Sequence, residues 1–146
     1  MARIVHIAVK VDDLDSAEDF YSKVFGFNVQ ARSRSDDRSR ATLNDGEINL
    51  IFLKYDSEDA EMAKAVGEGP SIHHFAIEVE NVAETVQKIR EFGCELLSDP
   101  TRIPVKFRMP GGPIAEVVPI GRYRNGVEQR PADEVRGRPE PVRQTP

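Results

Sequence analysis

One stretch of the chain occurs twice. Ile4-Val5-His6-Ile7-Ala8-Val9-Lys10-Val11 returns, altered, as Ile72-His73-His74-Phe75-Ala76-Ile77-Glu78-Val79, with His74 standing 68 positions after His6. Each copy is followed by an acidic or polar cap and then by a helical pattern, and the glycines that close those patterns, Gly26 and Gly93, are 67 apart. Carrying that offset forward places Asn49, in Glu47-Ile48-Asn49-Leu50-Ile51, on Glu116, in Ile114-Ala115-Glu116-Val117-Val118. A repeat of this kind is one supersecondary unit used twice, so the fold has to be built from two copies of one arrangement. The duplication superposes His on His and Asn on Glu.

The alternation over residues 3–11 predicts a half-buried strand, with Val5, Ile7, Val9 and Val11 on one face and Ile4, His6, Ala8 and Lys10 on the other. The apolar face needs a helix. Asp12, Asp13 and Asp15 supply its cap and first turn, Leu14, Ala17, Tyr21 and Val24 its stripe, widened by Phe20, and Gly26 its end. Asn44-Asp45-Gly46 predicts a hairpin turn, after which Glu47, Asn49, Ile51 and Leu53 share the face of His6. Residues 54–70 read as a linker with a short helix near 60–66. In the second copy His74, Ala76 and Glu78 point inward, whereas His73, Phe75, Ile77 and Val79 face a helix that starts at Asn81 and carries Val82, Val86, Ile89 and Phe92. Strands near 94–98 and 103–109 precede a last strand in which Glu116 and Val118 point inward. Each copy therefore reads strand, helix, three strands. The predicted fold is α+β: two βαβββ modules, about residues 3–55 and 71–120 of a domain over 1–120, forming a curved mixed sheet, a cup with helices outside.

Residues 121–146 hold six arginines and four prolines and almost no aliphatic residues, which predicts an extended tail. A second arginine-rich stretch, 31–40, reads as a solvated loop or edge hairpin. The sharper alternative is an anion clamp of Arg32, Arg34, Arg38 and Arg40 for a phosphate or carboxylate. The net charge of -5 argues against a nucleic-acid partner, and no apolar run approaches a membrane span. The single Cys94, with no signal-peptide core before the first strand, fits a reducing cytoplasm.

Into the cup point His6, Asn49, His74 and Glu116. A buried carboxylate costs several kcal/mol unless a positive group meets it, and no Lys or Arg lies on those strands near Glu116. A divalent cation would meet it. Two imidazoles, a carboxylate and open positions suit Zn, Ni, Co, Mn or Fe(II), with His6, His74, Glu116 and Asn49 as ligand candidates.

The pattern His6-Ile7-Ala8-Val9 with Asp13-Leu14, then Phe20-Tyr21 and Phe25-Gly26, then His73-His74-Phe75-Ala76, and finally an inward Glu116 before Val117-Val118-Pro119, resembles the vicinal oxygen chelate superfamily. That group spans glyoxalase I, methylmalonyl-CoA epimerase, extradiol dioxygenases, fosfomycin-resistance enzymes and bleomycin-binding proteins, and the likeness covers about residues 3–120. It implies that His6, His74 and Glu116 occupy metal-ligand positions. Glyoxalase I carries a carboxylate where Asn49 stands, so this chain departs from it, and Glu47 is the substitute carboxylate on the expected face. The resemblance further implies a lyase or isomerase of glyoxalase or epimerase type that stabilises an enediolate on a small oxygenated substrate, with Glu116 and Glu47 as candidate proton carriers. An Fe(II) extradiol dioxygenase is the alternative; against it, His73 is the only other histidine and by alternation faces away from the cup, leaving no spare imidazole. A non-catalytic antibiotic-binding protein is a third. Members of the group often pair, and a homodimer is expected.

Overall fold

The computed structural model describes residues 1–123. The expected tail over 121–146 therefore lies outside the described residues from position 124 onward. The first copy folds as β1 (Arg3–Lys10), α1 (Leu14–Phe25), β2 (Asn28–Arg34), β3 (Arg38–Asn44) and β4 (Asn49–Tyr55). After α2 (Glu61–Val66), the second runs β5 (Ser71–Val79), α3 (Val82–Glu91), β6 (Glu95–Leu96), β7 (Val105–Arg108) and β8 (Ile114–Pro119). All eight strands form one open sheet in the order β2-β3-β4-β1-β5-β8-β7-β6. The fold is α+β, as the duplicated pattern predicts. β1 and β5 run antiparallel at the centre, and each has a parallel neighbour, β4 or β8, contributed by its own copy.

Local chemistry sets the helix that holds the first half in place. The Asp13 side chain accepts hydrogen bonds from the amides of Asp15 and Ser16, and Gly26 closes α1 in the left-handed region at φ 72°. Between those caps Leu14, Ala17 and Tyr21 pack on Ala41, Leu43 and Phe52. Phe20 and Val24 remain half exposed, so the stripe that meets the sheet is narrower than its pattern suggested. In α3 only Val86 is fully buried, and Phe92 is exposed rather than part of the packed face.

The central strand pair departs from strict alternation in two places. Between Ile4 and His6, β1 carries one residue more than β5, and between Ile72 and His74, β5 carries one more than β1. The extra residues, Val5 and His73, are themselves equivalent in the repeat. An extra residue in one strand re-aims the side chains around it. Val5 accordingly packs with Ala76 and Val118, and His73 lines the concave cavity, where plain alternation had assigned both to the helix side.

Candidate metal centre

Three ligand-bearing side chains converge in the cup from three adjacent strands: His6 on β1, His74 on β5 and Glu116 on β8. One ligand atom from each lies within 4.8 Å of the others, and all three residues are buried. His6 Nε2 is 3.3 Å from His74 Nε2, and His74 Nε2 is 3.1 Å from Glu116 Oε2. Two imidazole nitrogens sharing one tetrahedral ion at the usual bond length stand about 3.3–3.4 Å apart. The spacing fits.

Hydrogen bonds on the far side of each ring decide where the lone pairs point. His6 Nδ1–H donates to Asn49 Oδ1 at 2.5 Å, which leaves the Nε2 lone pair facing His74. His74 Nδ1 faces His73 Nδ1 at 2.7 Å, and His73 Nε2 faces the Tyr55 hydroxyl at 2.8 Å. When His74 Nδ1–H donates to His73, and His73 Nε2–H donates to Tyr55, the Nε2 atoms of His6 and His74 both present lone pairs. Two lone pairs at 3.3 Å repel unless a positive group joins them, which is what a cation does. Run the other way, the same relay puts the proton on His74 Nε2, facing Glu116. Burial lowers the pKa of His6 to about 4 against the opposing hydrogen bond to Asn49, and lowers that of His73 to about 3 with help from the charges of His74 and Lys106. Both rings are therefore neutral, the ligand form, at ordinary pH.

Two expected site residues lie away from the point where the three side chains meet. Asn49 touches the Nδ1 side of His6, the far side from His74 and Glu116, where it orients the ring. The cause is register. β1 and β4 set His6 level with Asn49 and Ala8 level with Ile51, but β5 and β8 set Ala76, the repeat equivalent of Ala8, level with Glu116. The true counterpart of Glu116 is thus Ile51, two residues beyond the position that sequence offset selects. Glu47 does not reach the cup at all. The Asp45 carboxylate accepts from the amides of Glu47 and Ile48, drawing them into the turn before β4, where Glu47 is exposed.

Three neighbours of the centre escaped the strand pattern. Lys106, on β7, places its ammonium 2.8 Å from Glu116 Oε2, so a cation does meet the buried carboxylate from the next strand. Tyr123, just past β8, stacks on the His6 ring at 4.2 Å and donates its hydroxyl to Glu116 Oε1 at 3.1 Å. His73, expected to face a helix, lines the cavity. Burial alone would raise the Glu116 pKa, but the hydrogen bond and charge of His74, with Lys106, outweigh it and hold the carboxyl below the usual carboxylate range. Tyr123 is pushed up by burial and by the Glu116 charge, so it stays a donor.

The cavity over this centre holds about 350 Å³, at the small end of ligand sites. Ala8, Ile51, Leu53 and Met62 supply its apolar wall, the last from α2, so the expected linker helix helps to close the cup. Of the four clamp arginines, Arg38 and Arg40 line the cavity. Arg32 instead pairs with Asp15 and Glu18, and Arg34 with Asp56, on the surface.

Residues 3–110 match the model of the Glyoxalase/Bleomycin resistance protein/Dioxygenase superfamily. The mitochondrial methylmalonyl-CoA epimerase of Mus musculus is 26% identical over 137 residues, covering 80% of this chain and 72% of that protein. A probable lactoylglutathione lyase from Synechocystis is 28% identical over 106 residues, covering 66% of this chain and 75% of the relative. Among solved structures, a variant of Streptomyces coelicolor methylmalonyl-CoA epimerase in complex with 2-nitronate-propionyl-CoA superposes with a TM-score of 0.66 at 25% identity, covering 82% of this chain and 97% of that one.

Proposed function

The chain belongs to the Glyoxalase/Bleomycin resistance protein/Dioxygenase superfamily, and from that premise we propose a metal-dependent lyase or isomerase of glyoxalase or epimerase type, acting on a small molecule with neighbouring oxygens. The observation that carries this reading is the meeting of His6 Nε2, His74 Nε2 and Glu116 within coordination reach. The similarity to epimerases and lactoylglutathione lyases supports the reaction class. A divalent ion held by those three residues would supply the positive charge that stabilises an oxyanion developing on the substrate. Asn49 orients His6 for that task, and the His73–Tyr55 couple orients His74. The apolar wall keeps water from the reacting carbon. Glu116 is the only carboxylate lining the cavity among the described residues; it is ionised, and we assign to it the proton that moves.

The test is deuterium exchange. Zinc-loaded protein in deuterium oxide is expected to label methylmalonyl-CoA or the hemithioacetal of methylglyoxal and glutathione, and Glu116→Gln to lose the label. Labelling by the glutamine variant at the rate of the native chain would contradict the assignment.

A second reading has its own observation. With Ile51 at the counterpart of Glu116, two imidazoles and one carboxylate remain with open positions, the facial triad of non-haem Fe(II) oxygenases. His73 adds a third imidazole to the cavity lining, which plain alternation denied, with its two nitrogens facing His74 and Tyr55. Oxygen uptake with a catechol after anaerobic iron loading, without deuterium exchange, selects this reading.

A further inference from the structure

We propose that the substrate carries, apart from the oxygens that face the metal ligands, a compact oxyanion, a carboxylate or a phosphate group, held by Arg38 and Arg40. This rests on the reading that the substrate occupies the cavity above His6, His74 and Glu116. The charge of the lining is the first ground. Among the described residues four cationic side chains, Arg38, Arg40, Lys106 and Arg122, border the cavity against one carboxylate, Glu116, although the whole chain carries a net charge of -5. Glu116 is taken by Lys106, so it does not neutralise the arginines.

The second ground is how the two β3 arginines are held. They stand two apart, level with Tyr55 and Leu53 of β4, so both side chains rise from the same face of the sheet. Arg38 lies 5.5 Å from the centre of the Tyr55 ring and gives one nitrogen to Asp37 at 3.0 Å, an arrangement that fixes the guanidinium and leaves further donors. Arg40 gives one nitrogen to the Ser35 hydroxyl at 2.8 Å and pairs with no carboxylate among the described residues. Both guanidinium groups border the cavity, and a planar fork matches the two oxygens of a carboxylate or phosphate. Arg32 and Arg34 provide the contrast. Both lie on neighbouring β2, and both are met by surface carboxylates. Of the four, Arg40 alone meets no carboxylate among the described residues, and Arg38 keeps a single bond to Asp37 with donors to spare.

Size limits the ligand. About 350 Å³ accommodates a small acid or a small phosphate ester; a coenzyme A moiety would have to lie outside.

Calorimetric titration of the full chain with inorganic phosphate and, separately, with propanoate at low ionic strength tests the proposal. One anion is expected per chain, with affinity falling about tenfold or more in Arg40→Gln and Arg38→Gln, and unchanged in Arg32→Gln. Binding of phosphate alone would assign a phosphate group, and of propanoate alone a carboxylate. Thermal melts confirm that the variants fold, and two cavity variants keep the test open if one does not. Zinc stoichiometry in Arg40→Gln should equal that of the native chain, which separates failure here from failure of the metal reading. If neither anion binds the native chain, or if both cavity variants bind as it does, the proposal is overturned.

Discussion

Asn49 carries a consequence that is measurable on its own. Its carboxamide fixes the tautomer of His6 by accepting from Nδ1, and outer-shell partners of this kind commonly govern metal affinity by about 10–100-fold. Asn49→Ala should therefore weaken zinc binding by about that factor while leaving one ion per chain at saturation; competition with a chelating dye reads it. The two buried neutral rings also make stability depend on pH. His6 and His73 titrate at about 4 and about 3 in the folded chain, against an ordinary 6.5, so between those values the unfolded chain binds more protons. Stability is complete above about pH 6.5 and falls as pH drops towards 4, by roughly 2–4 kcal/mol for His6. Urea melts of chelator-treated protein at pH 7 and pH 5 should show the loss, and equal midpoints would contradict it. At this scale the sequence revealed the two histidines and Glu116, because strand alternation has a period of two. It hid His73 behind a strand irregularity, Asn49 behind a two-residue register difference, and Lys106 and Tyr123 because neither is on a strand that carries a ligand.

The elements were easier to read than their ends. α1 and α3 announce themselves through Asp13 and Asn81, side chains that accept amide hydrogen bonds of the first turn. Replacing the first, Asp13→Ala, should lower the denaturant midpoint by removing the cap and leave metal binding unaltered, because α1 packs on the opposite side of the sheet from the cup. Denaturant titration beside a zinc titration checks both halves of that statement. Boundaries failed where side chains compete with the backbone ladder. The Asp45 carboxylate claims two amides that β4 would otherwise use, and so the strand begins at Asn49 and Glu47 is lost to the cup. β6 is only two residues long, shorter than the run of residues 94–98 implied.

For the molecule as a whole, duplication explains both the sheet and the position of its centre. β1 and β5 meet at the axis that relates the two copies, and each brings its histidine to that seam, so the candidate ligands come from two halves of one chain. The halves then diverge in the partners they give those histidines: Asn49 and Tyr123 attend His6, whereas His73, Tyr55 and Glu116 attend His74. No helix among the described residues is long and apolar enough to cross a membrane. The central claim is that His6, His74 and Glu116 together hold one divalent cation. Elemental analysis of the full chain after equilibration with zinc and extensive dialysis addresses it directly. One ion per chain in the native protein and none in His74→Ala is the predicted result; no retained ion in the native protein, or the same content in the variant, would contradict it.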